Sequence, residues 1–498
     1  MTAKRFSAIE MPDEDVIPSH HLDRMRRLFD TWSTVAARNR VLTGYFEMKN
    51  PLKDLGVSIP QNFSNVNCVV GWCKKAVRAR TARAMFDGFV FDGKNNPELD
   101  ALVRANRLRS MYRQIVQCSL VHGLAAVTVM RGRVGQPEVK VRCYSANQFS
   151  ALWDYGADRI GCGVVLSDVD ADGRPRRYVA YFPDSVVTYD RVDEPGGSSW
   201  VSDAEANPMG RPMMELFVNE QSSDYPLGRS LITPELMGIV DKAMRDVLRM
   251  DIGAEFFTFP QRYVLGAAED LFAEPVDPDQ PVDEDGDPID ENGNKIERVS
   301  SDLEKFKSYI GSYLAITRDE NGEVPSVGQF TPADASSFTA VFENDAQRFS
   351  GSSLVPLGQL GVLSNTYTSS DALGAANDPL ILEVDLIREA FAEPMAEVGR
   401  MMLAVMKGCS VADLDETDAS VQAYFPDPSM PTLAARADSW TKIGAMDESI
   451  VGTRPYYEGL GLSQQTIDRL ESEKDAATTT RAMTAIAEVL ATGGGDGR

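Results

Sequence analysis

Residues 226–266 read PLGRSLITPELMGIVDKAMRDVLRMDIGAEFFTFPQRYVLG, and the fold turns on this stretch. Thr233 followed by Pro234 is a helix start, because the hydroxyl caps open amide groups and proline fits the first helical position, where an N–H would have no partner. Leu236, Ile239, Val240, Ala243, Met244, Val247 and Met250 then recur at helical spacing, which predicts one long amphipathic helix ending before Pro260. Lys242, Arg245 and Arg249 form a basic stripe on another side. Such a stripe is either an exposed face paired with Asp241 and Asp246 or a contact for a nucleic acid or a neighbouring subunit. Residues 267–297 follow with twelve acidic residues against one Lys, broken by prolines and by Asp-Gly and Asn-Gly turns, so a solvated loop with room for one hairpin is expected. Thr331 and Pro332 repeat the start signature and open a second helix through Arg348, with Phe338, Val341, Phe342 and Phe349 as its apolar side. Two similar helix starts therefore bracket an acidic insert.

Upstream, a helix is expected over 18–46, capped by Ser19 and carrying Leu22, Met25, Leu28, Phe29, Trp32 and Ala36 on one face. A second fits 66–86, with Val69, Val70, Cys73, Val77 and Met85 inward and Lys74, Lys75, Arg78 and Arg80 in water, and a third fits 96–126. From 127 to 218 the pattern changes to short β-branched runs between Gly, Pro, Asp and Asn turns, an antiparallel meander. The fold class is α+β. Downstream, 354–367 holds too many Gly and polar residues to be helical, and Ser369 or Ser370 caps a long helix to Lys407 that Pro379 and Pro394 should kink. Beyond Pro426 the pattern is helical again, ending in a Gly-rich tail.

The 498 residues carry 74 Asp plus Glu against 50 Lys plus Arg, a net charge of −24, which argues against a protein that coats nucleic acid through a generally basic surface. Hydrophobic residues at 43% are enough for a packed core. No apolar run is long enough to span a membrane, and no secretory signal opens the sequence. Cys68, Cys73, Cys118, Cys143, Cys162 and Cys409 are scattered and expected to be reduced thiols, and the histidines His20, His21 and His122 show no ligand spacing. Neither G-x-x-x-x-G-K-[ST] nor G-x-S-x-G occurs. The acidic run with Asp283, Glu284, Asp285, Asp287, Asp290 and Glu291 reads as a solvated charged loop, and within it Asp285, Asp287, Asp290 and Asn292 fail as a calcium loop: starting at Asp285 puts Ile289 at the third ligand position, and starting at Asp290 puts Lys295 where the turn glycine belongs. No metal, cofactor or catalytic residue is expected. Two other readings are an acidic cytoplasmic hydrolase using paired carboxylates, which would need them on rigid elements, and a capsid or adaptor structural protein.

Taken in order, these parts resemble the portal proteins of tailed double-stranded DNA bacteriophages, of the siphophage type. The likeness rests on residues 42–60 (LTGYFEMKNPLKDLGVSIP), 71–92 (GWCKKAVRARTARAMFDGFVFD), 226–266, and 327–350 (VGQFTPADASSFTAVFENDAQRFS) followed by VPLGQLG. It covers roughly residues 20–405. Phe46 and Met48 stand where a second Tyr and a Gly are more usual, and 365–379 departs from the family's Asn-Pro-x-Ser-Ala pattern. The resemblance implies an α/β wing (1–230), a two-helix stem (231–257 and 332–350), a small α/β clip with the acidic loop (258–331), a tunnel loop (351–370), a long kinked wing helix (371–408) and a helical crown with the tail (409–498). It implies a dodecameric ring at one capsid vertex in the virion, assembled in the host cytoplasm. Ser364, Asn365, Thr366, Tyr367 and Thr368 would lie near the DNA in transit, Lys242, Arg245 and Arg249 would face the channel or a neighbour, and the acidic loop would meet partners. Those partners are the large terminase, head-tail adaptor proteins, and the major capsid and scaffolding proteins, with DNA held non-specifically.

Overall fold

The computed structural model describes residues 9–50, 68–91, 94–195, 197–258, 262–265, 280–284, 288–290, 293–296, 326–329, 336–362, 370–429, 433–462, 466–467 and 469–474. The chain divides into two compact units, Met1–Pro426 and Asp427–Arg498.

The first unit begins with helix α1 (Leu22–Glu47), whose N-cap is His21 rather than Ser19, without a side-chain cap. Helix α2 (Trp72–Arg83) precedes strands β1 (Gly88–Phe91) and β2 (Lys94–Asn95). The helix expected over 96–126 is two, α3 (Pro97–Ala105) and α4 (Leu108–His122). Between them Arg107 sits at φ 52°, and Asn106 turns its side chain outward, donating to Val139 O and accepting from Val141 N. Competing side-chain bonds of this kind end helices, and periodicity alone does not register them.

The strands that follow form two sheets rather than one meander. Strands β3 (Leu124–Arg131) and β4 (Val139–Ser145) join β10 (Met214–Val218) in the order β10-β3-β4. Strands β5 (Phe149–Asp154), β6 (Arg159–Val169), β7 (Pro175–Tyr181), β8 (Ser185–Glu194) and β9 (Gly197–Ala206) form the antiparallel meander proper. Strand alternation stacks the layers. Cys162, Val164 and Leu166 of β6 face Met25, Leu28, Phe29 and Trp32 of α1, whereas Val165 faces the three-stranded sheet with Met214 and Leu216. On that sheet's other side, Val127, Val129 and Phe217 join the helical core. The three-stranded sheet and the β5–β7 part of the five-stranded sheet are therefore covered on both faces, whereas β9 is exposed apart from Ser199 and Trp200.

Helix α5 (Pro234–Thr258) is followed by β11 (Arg262–Leu265), which pairs antiparallel with β12 (Ser326–Gln329), so the acidic segment is an excursion between two paired strands. Helix α6 (Ser336–Ser353) comes next, then a short helix α7 (Leu357–Leu360) in a stretch expected to be non-helical. Two glycines do not prevent one turn: Gly361 at φ 85° ends it. Helix α8 (Ser370–Lys407) runs through Pro379 and Pro394, which leaves the carbonyls four residues earlier without a helical donor. After α9 (Glu416–Ala419), strand β13 (Gln422–Tyr424) returns to pair with β1. The second unit holds helices α10 (Leu433–Met446) and α11 (Arg454–Gly459), with Trp440 edge-on to Tyr456.

All six cysteines are free thiols. No helix among the described residues is long and apolar enough to cross a membrane.

Candidate functional site

Helices α5 and α6 pack against each other. Glu235 accepts from Ser352 Oγ at 2.7 Å, and seven residues further along α5, Lys242 donates to Asp345, seven residues earlier in α6. The two helices are antiparallel. Of the predicted apolar stripe of α5, Leu236, Ile239, Val240, Ala243 and Met244 are buried, while Val247 and Met250 are half-buried and Leu248, outside the predicted stripe, is buried in their place. On α6, Ala346 and Phe349 are buried, while Val341, expected inward, is 43% exposed.

Two of the three cations of the basic stripe are paired. Lys242 Nζ reaches Asp345 Oδ1 at 2.5 Å and Asp246 Oδ2 at 3.2 Å, and Arg249 Nη1 reaches Asp246 Oδ1 at 2.8 Å. Asp345 is fully buried and Asp246 nearly so. Burial pushes the Asp345 carboxyl above its ordinary range; Lys242 pulls it back, and the neighbouring Asp246 carboxylate pushes it up further. Burial opposes the charge on Lys242, but the bonds to the two aspartates outweigh it and hold the ammonium above its usual range. Asp345 Oδ2 has no hydrogen-bond donor among the described residues. Arg245, half-buried, has no ion-pair partner among the described residues.

Sequence reading named Asp246 as a partner of the stripe, which the ion pairs at 3.2 and 2.8 Å bear out, but missed Asp345, although a signal for it exists. Asp345 falls in phase with Phe338, Phe342 and Phe349, an acid on an apolar stripe.

A second feature frames the segment expected to be the tunnel loop. Arg80 was expected in water, yet it is 1% exposed. Its Nη2 donates to Ser353 O, the last carbonyl of α6, at 2.8 Å, and Glu383 of α8 lies 3.5 Å away. Lys75 Nζ donates to Leu360 O, the last carbonyl of α7, at 2.5 Å. Cations suit the carbonyl ends of helices, where unpaired oxygens and the helix dipole both present negative charge. That demand outweighs hydration for Arg80. On the far side, Gln359 Nε2 donates to Asn377 Oδ1 of α8 at 3.0 Å. Ser364, Asn365, Thr366, Tyr367 and Thr368 themselves lie outside the described residues.

In the acidic segment, Asp283 pairs with Lys295 at 3.0 Å, and Asp290 Oδ1 accepts from Asn294 N at 2.8 Å. Isolated bridges join Val282 to Pro288 and Ile289 to Lys295, as a hairpin-bearing loop would. Glu284 is exposed, and Asp285, Asp287 and Glu291 lie outside the described residues. Asp283 is held by Lys295, and Asp290 by the backbone and side-chain amides of Asn294.

Residues 16–478 match the family described as "Phage portal protein, SPP1 Gp6-like". The portal protein of Mycobacterium phage D29 is 24% identical over 434 residues, covering 84% of this chain and 82% of that one. The portal protein of Mycobacterium phage L5 is 23% identical over 465 residues, covering 91% and 86%. Among solved structures, the neck of an empty gene transfer agent particle contains a chain 14% identical with a TM-score of 0.45, covering 85% of this chain and 93% of that one. With the match running over nearly the whole length, the chain belongs to the phage portal protein family, SPP1 Gp6-like.

Proposed function

We propose that this portal-family chain is the subunit of a dodecameric ring at one vertex of the capsid, a conduit for double-stranded DNA during packaging and ejection. Its role is structural, and no residue is assigned a catalytic step. The observation that carries the reading is the family match over residues 16–478. The ion cluster between α5 and α6 supports it physically. A closed ring needs heterologous interfaces, one side of a subunit against the other side of the next, and a rigid antiparallel helix pair offers two such sides. A conduit must also pass DNA without gripping it. Each free cation on phosphate adds a counterion-release term that passage must overcome, and here Lys242 and Arg249 are neutralised by Asp246 and Asp345 within their own subunit.

In this reading α5 and α6 form the stem, residues 1–230 with 371–408 the wing, 258–331 the clip, 351–370 the tunnel loop and 409–498 the crown. The acidic segment would offer a basic face of the large terminase or a head-tail adaptor an electrostatic target, and the wing would meet the major capsid and scaffolding proteins. The ring would form in the host cytoplasm and remain in the virion.

Negative-stain electron microscopy of the purified chain, with mass photometry for the subunit number, tests the assembly. Rings with a central channel are expected. A species that stays monomeric across salt and concentration, and that scaffolding and capsid protein do not convert to rings, would refute it.

A further inference from the structure

His20 and His21 precede α1, and Asp184 lies in the turn between β7 and β8, so their meeting is invisible to motif spacing. The fold closes this distance. Pro18 O accepts from His21 N at 2.8 Å, closing a turn just before α1. The His21 ring is stacked on Phe182, with centroids 3.6 Å apart and planes 3° apart, and it is 1% exposed. The turn is itself fixed: Phe182 N donates to Ser185 O at 2.9 Å, and Asn207 donates through N to Asp184 O and through Nδ2 to Phe182 O.

One oxygen, Asp184 Oδ2, lies 3.4 Å from His21 Nε2 and 3.5 Å from His20 Nε2. All three candidate ligand atoms lie within 4.8 Å of one another, the one such trio of His, Cys, Asp or Glu among the described residues. Tetrahedral zinc, with bonds of about 2.0–2.1 Å to nitrogen and oxygen, holds neighbouring ligand atoms about 3.3–3.5 Å apart. Both measured edges agree with that figure. Two imidazoles and one carboxylate suit zinc, cobalt, nickel or copper rather than magnesium or calcium, which take oxygen ligands. The side chains of His20 and Asp184 are 63% and 54% exposed, so an ion can reach the site from solvent and a water can complete the set.

We propose that His20 Nε2, His21 Nε2 and Asp184 bind one divalent transition metal of the zinc type, which staples the segment before α1 to the β7–β8 turn. Three features limit its affinity. Ser185 Oγ lies 2.9 Å from His21 Nε2, the proposed ligand atom, so the metal must displace that hydrogen bond. His21 Nδ1 has no partner among the described residues, so the acceptor that usually backs a ligating imidazole, worth about 10–100-fold in affinity, is missing. Exposed Arg24, whose charge reaches His21, opposes a bound cation.

The test uses the full-length chain without an affinity tag. Cobalt(II) is titrated and followed by its visible absorption, zinc is titrated calorimetrically, and magnesium serves as the control. One metal per chain, a tetrahedral cobalt spectrum and no response to magnesium are expected. His20→Gln and Asp184→Asn, both at exposed positions, should each weaken binding about 10-fold or more, while Arg24→Gln should tighten it. The proposal fails if cobalt shows no tetrahedral band, or if binding survives both ligand substitutions unchanged, which would place the metal elsewhere on the chain.

Discussion

Asp345 decides more at the scale of single residues than any cation near it. It has no exposure and depends on Lys242 for its donor. Lys242→Ala is expected to cost about 2 kcal/mol in urea unfolding, because the buried carboxylate is left without its counter-charge. Replacing both partners by Lys242→Met and Asp345→Leu should recover most of that loss. A double variant as unstable as the single would mean that the pair is not the source. Glu215 gives a pH dependence. Burial pushes its carboxyl up to about 7; Arg211 pulls it down, and Glu397 pushes it up. The folded chain therefore keeps a proton that the unfolded chain releases, so stability falls as pH rises from about 4.5 to 7, by roughly 3 kcal/mol at most. Melting temperatures across that window should lose this slope in Glu215→Gln. An unchanged slope would place the titration elsewhere.

Two glycines separate what a helix prefers from what its packing allows, at the scale of elements. Gly238 in α5 has nothing within 4 Å of the position a Cβ would take, so Gly238→Ala should stabilise the subunit by about 0.5–1 kcal/mol through helix propensity. In α8, a Cβ at Gly399 would come within 2.9 Å of both the Phe89 ring and Val421 Cγ1, and those side chains are themselves buried. Gly399→Ala should therefore destabilise by about 1–2 kcal/mol despite the same propensity gain. Chemical denaturation of the two variants side by side checks the opposite signs. Arg80 belongs here as well, since it ties α2 to the end of α6 and to α8. Arg80→Met keeps the stem and removes the donors, with an expected loss of about 2–3 kcal/mol. The cap-plus-proline start of α5, its apolar stripe and the helix from Ser370 to Lys407 were legible because they depend on local rules. The break at Asn106 was not, because the groups that compete for its side chain lie on β4.

Assembly is read from what the isolated subunit leaves uncovered, at the scale of the whole molecule. Leu382 and Leu386, one turn apart on α8, are 63% and 53% exposed. In a ring of heterologous contacts such a ridge is expected to meet a neighbour, so Leu386→Glu should lower ring yield in mass photometry while leaving the subunit's melting temperature within about a degree or two. Equal ring yield would remove α8 from the interface. Arg245→Glu should behave similarly, with DNA packaging as the second readout, because this cation has no ion-pair partner among the described residues. Lys242→Glu should instead damage the subunit itself.

By itself the sequence determined the α+β class and the pair of long helices around an acidic excursion, which follow from periodicity and caps written within a few turns of chain. It carried the family through the likeness of its stretches, taken in order, to phage portal proteins. Only the tertiary structure decided that the meander splits into two stacked sheets, that Arg80 is buried, that Asp345 joins Asp246 in neutralising Lys242 and Arg249 while Arg245 is left without an ion pair among the described residues, and that His20 and His21 meet Asp184. Each depends on which distant groups share a dry space, where an unpaired charge or carbonyl costs too much to leave alone. That cost is set by neighbours in three dimensions, and no local pattern records it.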